Sequence, residues 1–385
     1  MRGLSYSYRD PWRAPRMGAS GKKIWVAFRG IVLGYLIYLI FGYAAHMMVG
    51  RSPVRTWQMF RLFPLSPDGL GGNFASVVWA FGLIAGLLCL FVASVGVAKI
   101  TYRELKGDDF YGGSDAWRYA LEHGRSTIGA PVALGVLFLA AMLVVGIIGL
   151  AGRIPAIGPV LFGLLAFPAF LVALLGVFLL LALYLSFLYT PAVVGTTGED
   201  ALEGAIQAMG LLWAAPWRTV GYTVIAAAAS IVATWVLAVI VRWALGLLGF
   251  AAWGMGAGYH ALAAGSLTYL PHHVPYVADL LSMAFPPVLS DLLPRGPAVT
   301  AELEGIAVIG SFLGGVTLLG IVGLVKAYFV SCLVSGITAS YLTLRRLKDG
   351  EDLLEWIDEV DELEEQLAVE SEVATPAPEP DTTVE

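Results

Sequence analysis

Six long apolar runs constrain the fold of this 385-residue chain more than any other feature. About 20 apolar residues are enough to cross a hydrocarbon core of about 30 Å as a helix, which satisfies its own backbone hydrogen bonds in lipid. Charged residues make up only 14% of the chain, well below the share in a water-soluble domain. We therefore predict an all-α polytopic transmembrane helical bundle. Its six spans are expected at residues 26–49, 74–99, 128–150, 164–190, 219–245 and 316–341.

The distribution of Lys and Arg predicts the orientation of these spans. An even number of spans places both termini on one side of the membrane. Of the 23 Lys and Arg residues, sixteen lie on that side and six on the other. Because positively charged loops stay in the cytoplasm, both termini are expected there, with the protein in a bacterial inner membrane. The basic N-terminal segment, residues 1–25, leads into a span that is too long for a signal-peptide core and is expected to be retained.

Three similar stretches follow the even-numbered spans: GSDAW from residue 113, GEDAL from 198 and GEDLL from 350. Asp is a preferred N-cap residue, so Asp115, Asp200 and Asp352 are each expected to cap a helix. Convergence of these carboxylates on a metal ion or a proton is the alternative, but capping explains each of them alone. Each stretch also follows a tyrosine that we expect to anchor its span at the membrane interface. These tyrosines are Tyr102, Tyr189 and Tyr341.

The shared pattern predicts a threefold internal repeat of a two-helix unit followed by an amphipathic helix. The units are residues 26–125, 126–217 and 218–357 of a membrane domain that spans 26–349. The amphipathic helices are expected on the cytoplasmic surface, with an apolar stripe facing lipid or the bundle. In the second unit that stripe consists of Leu202, Ala205, Ile206 and Met209, and in the first it begins with Trp117, Ala120 and Leu121.

Lys326 breaks the repeat, since the equivalent positions are Leu87 and Leu174. Counted back from Tyr341, it lies about 22 Å from the cytoplasmic edge of the membrane. An ionisable residue inside a membrane is costly and is therefore a functional candidate. Lys326 either faces a polar cavity or extends to the outer headgroups, unless the last helix begins so far outside that this depth is wrong.

The outer segment, residues 246–315, is much longer than the other outer loops and is broken by several prolines. We expect it to form a cap over the bundle. It carries His260, His272 and His273, but neither a His-x-x-x-His pattern nor a cysteine pair accompanies them. The sequence therefore predicts no metal site and no cofactor.

The C-terminal region combines an apolar seam with many acidic residues. An acidic amphipathic cytoplasmic helix is predicted at 350–368, and a disordered acidic tail at 369–385. The helix either packs on the basic cytoplasmic surface of the protein itself or binds a protein partner. Its seam consists of Leu353, Trp356, Val360, Leu363 and Leu367.

The stretch YTPAVVGTTGEDALEGAIQAMGLLWAAPWRTVGY, within residues 160–245, resembles a group of uncharacterised bacterial six-span membrane proteins. That group is similar to the membrane domain attached to some glycerophosphodiester phosphodiesterases. The resemblance implies an all-helical polytopic fold. It implies no catalytic residue, because this chain lacks the phosphodiesterase domain.

The residue composition of the spans and the absence of known catalytic motifs determine which function we expect. They are rich in Leu, Val, Ala and Gly, and the chain has no phosphate-binding loop, His-Glu-x-x-His motif or nucleophile elbow. We therefore expect a non-enzymatic component that organises the lipid bilayer or binds a protein partner. Binding of nucleic acid is not expected. The alternative is a permease for a lipidic or small hydrophobic solute, with Lys326 in its path.

Overall fold

The computed structural model describes residues 4–67, 74–155, 157–251, 262–263, 265–266, 269, 305–350 and 352–355. These residues are almost entirely α-helical. In chain order the helices are α1 (Arg9–Trp12), α2 (Ala14–Gly18), α3 (Gly21–Met48), α4 (Pro53–Phe60), α5 (Phe74–Lys106), α6 (Gly113–Glu122), α7 (Gly124–Ala151), α8 (Gly158–Thr197), α9 (Ala201–Ala214), α10 (Pro216–Ala251) and α11 (Ile306–Asp349).

Six of these helices, α3, α5, α7, α8, α10 and α11, are long and apolar enough to cross a membrane, which confirms the predicted number of spans. The even-numbered spans are longer than predicted, because α5 continues to Lys106, α8 to Thr197 and α11 to Asp349. An apolar run ends where polar residues begin, whereas these helices continue through a packed protein layer. We call the end at which they finish the basal end, and the opposite end the outer end.

The spans form three hairpins, because α3 packs against α5, α7 against α8, and α10 against α11. The α3–α5 hairpin is especially close. A Cβ atom added at Gly34 would collide with the carbonyl oxygen of Gly86, and one at Gly86 with that of Gly34. Small residues at such a crossing let two backbones approach within a membrane, where close packing holds helices together.

The three hairpins meet at the basal end. Helices α5, α8 and α11 contact one another there. Every residue of 93–102 in α5, 189–196 in α8 and 335–344 in α11 is buried. A helix stretch that is buried on every face lies inside its bundle, so these three stretches form a centre that we call the basal core.

Short helices surround the basal core: α6 packs on α5 and α3, α9 on α8 and α7, and α2 on α11 and α10. In α9, Leu202 and Ile206 of the predicted apolar stripe are 64% and 46% exposed, so this part of the stripe does not pack on the bundle. Leu121 of α6 is exposed as well. The faces turned to the bundle carry small residues, which permit close helix contact, and the large apolar residues point outward. In α9 the buried residues are Gly204, Ala205, Gln207, Ala208 and Leu211.

The outer parts of the hairpins are far less buried. Large apolar residues such as Phe81, Phe170 and Phe250 are 58%, 61% and 76% exposed. In lipid such residues contact acyl chains, so exposure here carries none of the cost that it would carry in water. The structure is therefore closed at the basal end and open to lipid at the outer end.

Residues 61–67, which follow α4, fold back along α3 at the outer end. Pro64 lies against Gly42, about 9 Å from the end of α3, counting six residues of helix. Backbone carbonyls of this segment accept hydrogen bonds from aromatic side chains, among them Leu62 from Tyr35 and Pro64 from both Tyr38 and Trp79. Irregular backbone within a membrane needs such protein partners, since lipid offers none.

Candidate functional site

The basal core contains the three tyrosines that mark the sequence pattern. Tyr102, Tyr189 and Tyr341 are 1%, 0% and 0% exposed, so the expectation that they anchor spans at the membrane interface was wrong. The Tyr102 hydroxyl donates to the Leu353 carbonyl at 2.9 Å, and the Tyr189 hydroxyl is bonded to the Thr223 hydroxyl at 2.9 Å. The Tyr341 hydroxyl has no hydrogen-bond partner within the described part of the chain.

Tyr341 belongs to a polar cluster where the α8–α9 turn and α9 meet the end of α11. Charges on Glu199, Glu203, Arg345 and Asp349 all act on the Tyr341 hydroxyl. We call these five residues and Gln207 the Tyr341 cluster. Within it, the Gln207 amide donates to Glu203 Oε1 at 2.7 Å, and Arg345 Nε lies 2.8 Å from Asp349 Oδ2.

Two further oxygens of the Tyr341 cluster, Glu199 Oε2 and Gln207 Oε1, are buried and have no hydrogen-bond partner among the described residues. Burial raises the pKa of the Glu199 carboxyl, and the nearby Glu203 charge raises it further, while Arg345 lowers it. Burial is the largest of these influences, so the pKa of the Glu199 carboxyl lies above its usual range.

Two lysines at the basal end are buried. Lys23 is 0% exposed, its Nζ lies 2.8 Å from Glu104 Oε2, and it also donates to the Met17 carbonyl. Lys99 is 6% exposed and lies over the ring of Tyr119 at 4.7 Å. In the sequence, both lysines count only among the basic residues on the side of the termini.

The helical period could have identified Lys23. It lies three and four residues before Val26 and Ala27, which are both fully buried, and therefore on the same face of α3. A lysine on the inward face of a helix needs a carboxylate partner. Glu104, in the last turn of α5, provides this carboxylate.

The three predicted capping residues differ in their surroundings. Asp200 precedes α9, and its carboxylate accepts hydrogen bonds from the backbone N–H groups of Leu202 and Glu203. Asp115 lies inside α6, whose N-cap is Gly112, and makes no capping hydrogen bond, so that prediction was wrong. The reason is that the chain leaves its extended conformation at Gly112, three residues earlier. Asp115 still lies in the first turn, where a negative charge is favourable.

Asp352 links the two ends of the chain. Its carboxylate accepts hydrogen bonds from the Tyr6 hydroxyl at 2.7 Å and from the Leu354 N–H, and it pairs with Arg346 at 2.9 Å. Burial and the bond to Asp352 raise the pKa of Tyr6 to about 12. Within the described residues, no group of three or more His, Cys, Asp or Glu side chains could hold a metal ion.

Of the helix predicted at 350–368, the structure describes Gly350 and residues 352–355, and these form a turn after α11 rather than a helix, so the predicted start of the helix was wrong. Leu353, the first residue of the seam, is 6% exposed and packs in the protein's own hydrophobic core, so it is not available to a partner. The remaining seam residues and the acidic tail lie outside the described residues. They are Trp356, Val360, Leu363 and Leu367, with the tail at 369–385. His260, His272 and His273 of the outer segment lie outside them as well.

Lys326 lies near the middle of α11, which begins ten residues before the predicted span. The reference point for its predicted depth was also wrong, because Tyr341 is inside the basal core rather than at an interface. Lys326 is half-buried. The residues beside it are fully packed: Val325 contacts α10, and Ala327 packs in a cluster with residues of α3 and α5. The equivalent positions Leu87 and Leu174 are 60% and 55% exposed.

Several hydroxyl groups within the spans donate to carbonyls of their own helices. Thr101 donates to the Val97 carbonyl, Ser230 to that of Ala226, and Ser340 to that of Gly336, each one turn back. A hydroxyl bonded in this way is compatible with apolar surroundings and has lost its donor for a passing solute.

Comparisons of this chain with protein-family models, with curated proteins and with solved structures found no match. The resemblance to the membrane domain of glycerophosphodiester phosphodiesterases therefore stays a prediction.

Proposed function

We propose that the protein is a non-enzymatic component of a bacterial inner membrane that organises lipids or binds partner proteins. The observation that carries the proposal is the contrast between the two ends of the bundle. The basal core is packed on all faces, whereas large apolar residues of all three hairpins remain exposed toward the outer end. Such a shape offers acyl chains and partner helices a large lateral surface, held in place by a rigid base.

The threefold repeat is part of this proposal. Each short helix lies against one hairpin: α6 against α3–α5, α9 against α7–α8, and α2 against α10–α11. The helices α6 and α9 each follow their hairpin in the chain, whereas α2 reaches the third hairpin from the N-terminal side. This packing supports the predicted unit of two spans followed by a short helix, with α2 in the place of the third short helix. Three equivalent hairpins then present three equivalent faces to the bilayer.

The basal end is proposed to face the cytoplasm, with both termini. It carries most of the basic residues, and Arg118, Arg125 and Arg218 are all exposed there. Positive charge of this kind is retained on the cytoplasmic side. The described chain reaches Glu355 at the basal end, so the acidic residues that follow in the sequence are proposed to meet a partner on the cytoplasmic side.

Native mass spectrometry of the full-length protein, extracted gently from its own membrane, tests the proposal. We expect phospholipid or a stoichiometric protein partner to stay bound. A bare protein that carries a solute across reconstituted vesicles, in a manner abolished by Lys326→Leu, would contradict the proposal and support a permease.

Deletion of the tail tests the partner-binding part. The deletion should begin at residue 356, because Asp352 and Leu353 belong to the packed base. Removing 356–385 is expected to release a bound protein and leave the melting temperature unchanged, whereas removing only 369–385 should retain the partner if the seam binds it. Retention of the partner after the longer deletion would exclude the tail as its binding site.

A further inference from the structure

The N-terminal segment, residues 4–18, runs along the third hairpin from the basal end into the level of the spans. At its start, the Tyr6 hydroxyl donates to Asp352, which follows the end of α11. At its end, the Gly18 carbonyl accepts from the Ser331 hydroxyl at 2.7 Å, about 27 Å along α11 from its basal end. Helix α3 begins three residues after Gly18 and soon enters its apolar run. The end of the segment therefore lies where the first span enters the membrane.

This N-terminal segment has two different faces. Asp10, Ala14 and Met17 are buried, and both α1 and α2 pack on α10 and α11. The opposite side is exposed and carries three arginines and a tryptophan. Their spacing of three and four residues places these four side chains on one side of a helical backbone. We call this side the N-terminal arginine face, and it consists of Arg9, Trp12, Arg13 and Arg16.

The other two short helices also pack on the even-numbered spans, but their exposed sides differ. In α6 the exposed side is mixed in charge, with Asp115, Arg118 and Glu122. In α9 it is apolar, with Leu202 and Ile206. Because α6 and α9 pack against their hairpins without a basic face, the packing of a short helix does not itself require one. The arginines of the N-terminal segment therefore have a use outside the bundle.

The charge within the N-terminal segment is not balanced internally. Asp10 is the only acidic residue of 4–18, against three arginines. Its carboxylate is buried and accepts hydrogen bonds from the backbone N–H groups of Ser5 and Ser7. It also lies 3.6 Å from Arg13 and offsets part of that charge. The N-terminal arginine face thus presents a net positive charge to its surroundings.

The level of this face in the membrane indicates what balances the charge. Lipid phosphate groups lie where spans enter the bilayer, and a guanidinium binds two phosphate oxygens at once. Trp12, which is 58% exposed, is typical of the same level, because an indole ring is amphipathic. An anionic phospholipid keeps a net negative charge, whereas a zwitterionic one carries a cation that offsets part of the attraction.

We propose that the N-terminal arginine face binds the headgroup phosphate of an anionic phospholipid in the leaflet at the basal end. The proposal rests on the lipid-organising part of the proposed function and names the class of lipid. The acidic tail of the same chain is another source of negative charge. The membrane level of the face favours the headgroup, since lipid phosphates surround the bundle at that level.

Site-specific quenching tests the proposal in the full-length protein. A fluorophore is attached at Ala19→Cys, an exposed position beside the face, after Cys89 and Cys332 are replaced by Ala. The protein is reconstituted in phosphatidylcholine vesicles that contain increasing amounts of phosphatidylglycerol or phosphatidylcholine with a nitroxide on the acyl chain. Half-quenching is expected at a mole fraction of nitroxide phosphatidylglycerol at least about fivefold below that of nitroxide phosphatidylcholine. One basic residue near anionic lipid corresponds to about this change in affinity.

Three matched triple variants show whether the arginines cause the preference. Replacing Arg9, Arg13 and Arg16 by Gln should bring the two quenching curves together, and replacing them by Lys should keep the preference, since the charge remains. The control replaces exposed arginines toward the outer end by Gln, which removes the same charge and should leave the preference unchanged. These arginines are Arg55, Arg153 and Arg242.

Equal quenching by the two lipids in the unaltered face, or a preference that survives the Gln variant, would overturn the proposal. So would a preference that appears only after removal of 356–385, because the acidic tail would then occupy the face. Quenching by both lipids without preference leaves lipid contact, and with it the proposed function, in place. No quenching by either lipid would contradict this proposal and the lipid-organising function together.

Discussion

Substitution of Lys23 and substitution of Glu104 are expected to lower the free energy of unfolding by different amounts, although the two residues form one ion pair. The Lys23 side chain is 0% exposed and that of Glu104 is 24% exposed. Glu104→Met leaves a fully buried ammonium with only the Met17 carbonyl, so we expect a loss of about 3–5 kcal/mol, the range for breaking a buried pair. Lys23→Met leaves a carboxylate that water can reach in part, so its cost is expected at about 1–3 kcal/mol.

The double variant Lys23→Met/Glu104→Met should recover most of this loss, to within about 1 kcal/mol of the wild type, because no uncompensated charge remains. The free energy of unfolding in mixed detergent micelles measures all four proteins of the cycle. Lys22→Met is the control, since Lys22 makes an exposed contact to the Asp109 carbonyl and its loss should cost less than about 1 kcal/mol. Equal costs for the two single variants, or costs that simply add in the double variant, would refute the reasoning.

Two further matched pairs of substitutions test the packing and capping described above. Gly34→Ala should cost about 1–3 kcal/mol because the new Cβ meets the carbonyl of Gly86, whereas Gly135→Ala, with open space around it, should be neutral or stabilising by up to about 1 kcal/mol; equal melting temperatures would contradict the close crossing of α3 and α5. Asp200→Ala should cost about 0.5–2 kcal/mol through loss of its cap, and Asp115→Ala less than about 0.5 kcal/mol. The reverse order in the same unfolding assay would mean that the caps are assigned wrongly.

The number of spans could be predicted from sequence because lipid demands long apolar helices, and each of the six runs meets that demand. The ends of the even-numbered spans could not. The predicted spans end near Tyr102, Tyr189 and Tyr341, whereas the helices continue for several residues into a part of the protein where helix packs on helix. The sequence left open whether the stripe of α9 faces lipid or the bundle, and the fold exposes its large apolar residues and packs its small ones on the bundle.

The candidate site was harder to predict because it depends on contacts between distant parts of the chain. Asp200 and Asp115 follow nearly identical residues, yet only Asp200 begins its helix. Glu199 belongs to the stretch that predicts the cap, and its half-burial becomes visible only in the fold. For Leu353, the sequence allowed either packing on the protein itself or binding of a partner. Only the fold around Leu353 distinguishes these two alternatives, and it buries this residue.

The central claim is that the bundle is sealed at its base and that lipid, rather than water, surrounds the spans toward the outer end. Nitroxide accessibility tests it most directly, with labels at Leu87→Cys and Leu174→Cys in a protein whose Cys89 and Cys332 are replaced by Ala. A label at Phe110→Cys, a position that is 96% exposed in the α5–α6 loop, provides the water-accessible control.

The account predicts that labels at 87 and 174 relax strongly with dissolved oxygen and weakly with a water-soluble paramagnetic reagent, with the opposite order at 110. Strong relaxation by the water-soluble reagent at 87 or 174 would contradict it, because a water-filled path would then run between the hairpins.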